Sequence, residues 1–419
     1  MKERMLSAAK DGWNYLKAFA KWLALSVAVG LVGGAVGVLF LYGIEYAGKF
    51  RNAAPWLLFL LPVGGLFIVW AYRVCKQSED IGTNDVLLAV RAGKPLPAVL
   101  APLILVSTVV THLLGGSAGR EGAALQLGGS IGRAVARVFR LTEKDMRVAV
   151  LIGMSAVFAA LFGTPLTAAF FAMEVVSVGV MYFAALVPCL AAALIGFGLM
   201  RLAGFSPVAF RLLGAEALSL PVVGKTALLA AAAALLSILF CVAMHGAAHG
   251  LKRFIKNPYL RVLAGGVAIV LLTLLAGTRD YNGVGSPVIA AALAGNARPE
   301  AFALKLLFTA VTLGAGFKGG EIVPSFFVGA TFGCVAAPLF GLDPAFGAAV
   351  GLIALFCGIT NCPVASLFLA IEMFGGACLP HFGVTVAIAY TLSGNYGVYG
   401  KQLLVYSKLH AELIDEEAR

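Results

Sequence analysis

The chain has 419 residues, 61% of them hydrophobic and only 12% charged. A soluble protein carries about 25% charged residues, so this composition excludes an ordinary soluble globular chain. The formal net charge is +11, and its basic clusters, Arg133–Arg147 and Lys252–Arg261, sit between apolar runs. There they read as loops on the positive inner side of a membrane and not as a nucleic-acid surface.

Residues 1–21 carry Lys2, Arg4, Lys10, Lys17 and Lys21 and read as an amphipathic, basic, cytoplasmic helix at the inner membrane surface. The apolar run Trp22–Tyr42 that follows is too long for the core of a cleavable signal, and opens a first transmembrane unit over residues 22–205. Gly30, Gly33, Gly34 and Gly37 have the spacing of a helix-packing face. A second span covers Ala54–Tyr72. The polar break from Lys76 to Asp85 then leads into a short helix, for which Thr83 and Asn84 are N-cap candidates.

The apolar segment Ala98–Leu114 runs into Gly116-Ser117-Ala118-Gly119-Arg120-Glu121-Gly122-Ala123. An ionised side chain at bilayer depth costs about 2.5–3.5 kcal/mol, so such residues usually line a path. Glycines expose backbone N–H groups at the start of the next helix, where anions bind. These residues predict an anion path with Glu121 standing in it.

The pattern recurs about 200 residues later. Gly119 to Ala123 has a partner in Gly319-Gly320-Glu321-Ile322-Val323, each preceded by an apolar helix ending in glycines and followed by a helix containing them. Gly163-Thr164-Pro165 up to Glu174 likewise matches Asn361-Cys362-Pro363 up to Glu372. Four elements in order at nearly constant offset imply an internal duplication. Glycine-interrupted segments at matching places in two halves point to a transporter's binding site. The second half is expected over residues 226–410, after a connector over 206–225, with spans at Thr226–Met244 and Val262–Gly277. A last helix and a cytoplasmic tail, 411–419, close the chain. The fold class is an all-α polytopic membrane protein.

These residues resemble the CLC family of anion channels and proton-coupled antiporters over nearly the whole chain. The family's G-R-E-G-P stands as Gly119 to Ala123, with Ala in the proline place. Its G-x-F-x-P stands as Gly320 to Pro324, with Ile for Phe, and its pore tyrosine matches Tyr399. The G-S-G-I-P motif falls on Gly82-Thr83-Asn84-Asp85-Val86. That departure, and Glu321 ahead of the second turn, resemble the fluoride-exporting CLC-F branch.

The resemblance implies the CLC fold, two inverted-topology repeats whose broken helices meet at a midplane anion site. It implies fluoride/proton antiport with Glu121 as the gate, a carboxylate that competes with the anion and takes up a proton when displaced. Backbone N–H groups of Arg120, Glu121, Gly122, Ile322 and Val323 would line the path. Thr83 or Asn84, with Tyr399, would offer side-chain donors. The internal proton-transfer glutamate of chloride antiporters falls on Val175, which makes Glu321 the next candidate for coupling. A homodimer in the cell's inner (plasma) membrane, both termini cytoplasmic, is implied. The alternative of the same fold is a chloride/proton antiporter or passive chloride channel, and Thr83 would keep a hydroxyl at the serine place.

Displacement and protonation of a carboxylate are naturally linked, because a carboxylate driven into a drier place holds a proton more readily. Glu174 and Glu372, at matching places near helix ends, read as structural. His245 and His249 share a helical face, but no glutamate follows as in H-E-x-x-H and no third ligand is evident, so packing or cavity lining is expected. The seven cysteines form no C-x-x-C pair and read as packing residues. No phosphate-binding G-x-x-x-x-G-K-[ST] loop occurs, so transport is expected to run on gradients. The rival class, an intramembrane enzyme, needs a nucleophile–base pair or a metal triad that the scattered histidines do not supply. No cofactor or metal is expected; the partners are fluoride or chloride, protons and the bilayer.

Overall fold

The computed structural model describes residues 2–210, 212, 216–410 and 412–419, with side chains from Lys10 onward. The described helices fall into two sets. The first half holds α1 (Lys2–Ala53), α2 (Leu61–Val74), α3 (Thr83–Ala92), α4 (Leu100–Leu113), α5 (Glu121–Val138), α6 (Glu143–Phe162), α7 (Pro165–Glu174) and α8 (Leu186–Leu202). The second half repeats that order: α9 (Leu220–Phe254), α10 (Pro258–Ala276), α11 (Ser286–Leu293), α12 (Ala301–Ala315), α13 (Ile322–Ala336), α14 (Pro344–Thr360), α15 (Pro363–Phe374) and α16 (Leu379–Leu392). Seven helical segments among the described residues are long and apolar enough to cross a membrane.

Local chemistry explains why the halves break at matching points. α6 ends on Gly163 and α14 on Asn361, both left-handed at φ 71° and 56°, a conformation that glycine and asparagine tolerate best. Two residues later Pro165 and Pro363 open α7 and α15, where a missing N–H costs nothing.

The halves are inverted. Lys21 pairs with Asp145 at 2.7 Å, setting the start of α1 beside the start of α6. α2 returns to that basic face, where Asp80 pairs with Lys252 near the end of α9 at 2.6 Å. Lys225, near the start of α9, donates to the Gly341 carbonyl at 3.1 Å, beyond the far end of α13. Thus α5 runs from its buried start toward the basic face, and α13 runs from its own toward the opposite face.

Each half is held by one glycine-lined crossing. A Cβ on Gly128 would lie 2.3 Å from the Gly153 carbonyl oxygen, where α5 meets α6; a Cβ on Gly329 would lie 2.4 Å from the Gly351 oxygen, where α13 meets α14. Backbones this close leave no room for side chains, and in lipid such contact replaces the hydrophobic effect as the packing force. The expected face of α1 behaves alike: an added Cβ on Gly34 would meet Gly196 of α8 at 2.9 Å, and on Gly37 would meet Ala160 of α6 at 2.8 Å.

Glu174 and Glu372 join the halves reciprocally. Glu174, closing α7, accepts from the Val364 and Ala365 N–H groups at the start of α15, at 3.1 and 2.9 Å. Glu372 of α15 accepts from Leu166 and Thr167 N–H at the start of α7, both at 2.9 Å, and from the Thr167 hydroxyl at 2.6 Å. Both are therefore structural caps, each at a positive helix end.

Four expectations need correction. The surface helix over 1–21 and the first span are one uninterrupted helix, α1, because no glycine, proline or cap residue lies across their junction, from Tyr15 to Leu25. The N-cap of α3 is Gly82, whose N–H donates to Asp85 Oδ2 at 2.9 Å, so Thr83 and Asn84 lie inside the helix. α9 begins at Leu220, inside the expected connector; Arg211 and residues 213–215 of that connector lie outside the described residues. The last segment is no helix. Leu403–Tyr406 forms a strand that pairs parallel with Ser177–Val178 and antiparallel with Leu413–Glu417, so the fold carries a small sheet at the basic face. The run Leu403-Leu404-Val405-Tyr406 suits a half-buried strand, and Glu417 is held by Arg91 at 2.9 Å and Lys401 at 2.6 Å.

Gly351→Val should lose about 1–3 kcal/mol or more through the crossing, seen as a lower melting temperature and a non-monodisperse gel-filtration profile. Gly198→Ala, whose added Cβ has nothing within 4 Å, should leave both unchanged.

Candidate anion pathway

The two glycine turns pair with each other. Gly119 N–H donates to the Gly320 carbonyl at 2.7 Å and Gly320 N–H returns to Gly119 at 2.8 Å, an isolated antiparallel bridge. A Cβ on Gly320 would stand 2.4 Å from the Gly122 nitrogen, and one on Gly119 would stand 2.9 Å from Pro324 Cδ. Only glycine permits this approach. It delivers the starts of α5 and α13 to one place, each carrying about half a positive charge.

Glu121 lies at the meeting point, fully buried. Its Oε2 accepts from the Arg120 N–H at 3.0 Å and, across the repeat, from the Val323 N–H at 3.1 Å. Among the described residues Oε1 has no hydrogen-bond partner, and the Arg120 Nε approaches it only to 3.9 Å. The carboxylate thus holds the acceptor position that an anion would take between two helix ends. The Arg120 side chain lies over the Phe162 ring, 5.5 Å from its centroid, and lines a cavity of about 320 Å³ with Glu45 and Ser286 on the face opposite the basic loops.

A second cavity, about 190 Å³, reaches the same region from the basic face and holds Thr83, Asn84, Gln126, Glu321 and Tyr399 in its walls. A Cβ on Gly122 would lie 3.0 Å from Glu321 Oε2 and 3.2 Å from Thr83 Oγ1, so these groups converge on one point beside Glu121. Thr83 Oγ1 donates to the Gly122 carbonyl at 3.3 Å and accepts from Gln126 Nε2 at 3.5 Å. Glu321 Oε2, Gln126 Oε1 and the Tyr399 hydroxyl are buried without a hydrogen-bond partner among the described residues. Buried polar atoms are rarely left so, and three of them lining one cavity mark a place for a polar guest.

Of the two loop candidates, Thr83 therefore faces the meeting point. Asn84 lines the cavity too, but its Oδ1 accepts from the Lys401 N–H at 3.1 Å, tying α3 to the segment after Tyr399. Ile322 is fully buried at the first position of α13.

Two residues of the site escaped the sequence reading. Gln126 lies one turn beyond Gly122, and an amide among the apolar and small residues from Gly122 to Gly132 was its only signal. Lys318 donates its ammonium to the Glu79 and Ile81 carbonyls at 2.6 and 3.3 Å and lies 4.5 Å from the Tyr72 ring centroid. It pins the loop that presents Thr83, and its signal was a lone charge beside the second glycine turn.

The model of voltage-gated chloride channels matches residues 64–394. The chain belongs to the CLC family. It is 36% identical over 412 residues to a chloride/fluoride channel protein of Pseudomonas syringae pv. tomato, covering 96% of this chain and 91% of that one. Its fold matches the crystal structure of a CLC-type fluoride/proton antiporter with a TM-score of 0.88 at 34% identity, covering 91% and 98% of the two chains. It also matches a slow cyanobacterial Cl−/H+ antiporter, TM-score 0.77 at 20% identity over 89% and 94%, a likeness of fold.

At the CLC position expected for an internal proton-transfer glutamate, Val175 is fully buried, and its carbonyl accepts from Gln402 Nε2 at 3.0 Å. Gln402 Nε2 also donates to the Thr360 carbonyl at 2.7 Å, so this region is tied by amide contacts. His245 packs against the same segment, its Nε2 3.2 Å from the Val398 carbonyl, while His249 is exposed.

At the mouth of this second cavity, on the basic face, Asp80 meets Lys252. Burial works to raise the Asp80 carboxyl, but the Lys252 hydrogen bond and the charges of Lys252, Arg261 and Lys318 outweigh it and hold it below its ordinary value. The folded form thus favours the ionised carboxylate. The tie is fully present at neutral pH and is lost only as pH falls through that lowered value.

Lys318→Met should free the 79–82 loop and weaken anion binding about tenfold, the usual effect of one charge-assisted contact. Calorimetric titration with fluoride measures it.

Proposed function

We propose that the chain exports fluoride in exchange for protons. The observation that carries this reading is the Glu121 carboxylate bonded to the Val323 N–H of the opposite repeat, a carboxylate standing in an anion's place. Likeness over nearly its full length to a CLC-type fluoride/proton antiporter supports the choice of ions.

The cycle follows from competition for one set of donors. Fluoride entering from the inner cavity meets Thr83, Gln126, Glu321 and Tyr399, which replace water contacts that this small, firmly hydrated ion gives up reluctantly. It reaches the Arg120 and Val323 N–H groups only when the Glu121 carboxylate leaves them. The displaced carboxylate, no longer held by those donors in a buried place, accepts a proton, so anion entry and protonation proceed together. Fluoride then leaves past Arg120, and Glu121 gives up its proton on the inner side as it returns to the N–H groups. A proton gradient directed inward drives fluoride outward. A protonated Glu321 donates one hydrogen bond to the ion and serves as the second coupling carboxyl.

Chloride transport by the same fold is the second reading, and Thr83 favours it: its hydroxyl faces the meeting point at the place the resemblance gives to serine. The Lys and Arg loops support an orientation in the plasma membrane with the basic face and both termini on the cytoplasmic side. A homodimer with a path in each subunit is the assembly we infer.

Reconstituted liposomes, loaded with fluoride or with chloride and carrying a pH probe, test these together. The wild type should release fluoride in preference to chloride and move protons the opposite way. Glu121→Ala should abolish proton movement; a variant that still pumps protons against their gradient refutes the gate. Glu321→Gln should slow coupled fluoride release by about 10²-fold, and unchanged proton-linked flux removes its role.

A further inference from the structure

The face opposite the basic loops holds a cavity of about 360 Å³ that the transport path does not use, walled by Arg51, Asn52, Arg279 and Asn282 with Pro55 and Leu58. Two arginines face one small space, and its lining contains no carboxylate. The acids nearest in sequence to the two arginines are engaged elsewhere, Glu45 with Lys49 at 2.6 Å and Asp280 toward Arg298 at 3.9 Å. Among the described residues no carboxylate pairs with either arginine. Like charges drawn to one place are unfavourable unless a counter-charge completes them.

The backbone is shaped to keep them there. Gly283 has φ +60°, and a Cβ on it would lie 2.2 Å from Arg51 Nη1, so the 277–285 loop is moulded round that guanidinium. Arg51 Nη1 donates to the His112 carbonyl at 2.9 Å, which fixes the group while using one of its five N–H donors. Asn282, 3% exposed, donates Nδ2 to the Gly115 carbonyl at 2.7 Å. Beneath the loop the fully buried Lys305 donates to the Tyr281 and Gly283 carbonyls at 3.0 and 2.7 Å. A rigid loop thus carries the exposed Arg279 to a fixed Arg51, above the buried Lys305.

Guanidinium forks match the oxygens of an oxyanion two at a time, which a monatomic halide does not exploit. Trp56, 60% exposed beside Pro55, is a residue type that settles at the membrane–water interface, which sets the cavity at headgroup depth. We propose that this cavity is a phosphate-binding site, taking the phosphate group of a lipid headgroup or free phosphate from outside. Its wall includes Gly115, and His112, which anchors Arg51, touches the Gly119 carbonyl through Nε2 at 3.2 Å. A bound phosphate would therefore brace the turn that carries Glu121 from behind.

Arg279 is exposed, and among the described residues its side chain makes no hydrogen bond or ion pair, so Arg279→Gln tests the site without disturbing packing. Full-length protein in uncharged detergent is melted in sodium phosphate and in sodium chloride of equal ionic strength. The wild type should gain melting temperature with phosphate, and Arg279→Gln should need about tenfold more phosphate for the same gain. In a second arm, native mass spectrometry of protein purified with phospholipid should show one lipid held by the wild type and lost in Arg279→Gln. Success in the first arm alone identifies free phosphate, and in the second a headgroup. Arg51→Gln should reproduce either loss. Equal melting responses together with equal lipid retention in wild type and Arg279→Gln overturn the site.

Discussion

Two hydrogen bonds between Gly119 and Gly320 hold the molecule's working parts in register. They join turns from opposite halves in a place where neither residue has room for a side chain. Once the turns pair, the starts of α5 and α13 must converge, and their unsatisfied N–H groups must share one space. Helix ends of like polarity repel, so this convergence persists only with a negative group between them. Glu121 supplies it from within the chain, accepting from both helices. Much of the remaining architecture maintains that meeting, from the glycine crossings of α5 on α6 and α13 on α14 to the caps exchanged between α7 and α15.

In the cycle proposed above, the same geometry lets one carboxylate act as both plug and proton carrier. Its donors are backbone groups fixed by helices, so they stay in place when the side chain leaves, and a small anion finds them preorganised. The side chain has the opposite character: Arg120 comes no nearer than 3.9 Å to Glu121 Oε1. A tight bidentate pair would have made a wall. The groups toward the basic face, Thr83, Gln126, Glu321 and Tyr399, form a second set of donors and acceptors one step away.

Much of this was legible in the sequence, because a duplicated chain writes its symmetry twice. The pairing of Gly119 to Ala123 with Gly319 to Val323 located the meeting of the two turns, and the matched Pro165 and Pro363 located a second symmetric contact. Glu174 and Glu372 were read as structural without their partners, since a cap supplied from about 200 residues away has no local signature. Gln126 and Lys318 were missed because each works through tertiary contacts, one across to Thr83 and the other to the carbonyls of the 79–81 loop. The choice between Thr83 and Asn84 depended on the cap: with Gly82 bonded to Asp85, the helix starts one residue earlier and turns Thr83 toward Gly122. The closing sheet was hidden for another reason. Leu403–Tyr406 has the composition of a strand, but its first partner is a two-residue strand, Ser177–Val178, far back in the chain.

The exchanged caps of α7 and α15 bear on biogenesis. When α7 leaves the ribosome, the carboxylate that satisfies its first N–H groups has not been made, and about 200 residues must follow before Glu372 appears. Until then the first half carries exposed peptide donors and an unplaced Glu174. An isolated first half is thus an unfinished object within the bilayer, and the two halves have become interdependent in a way that their common ancestry did not require. A gene duplication that began as two similar pieces ends as one chain whose quality control must wait for its last helices.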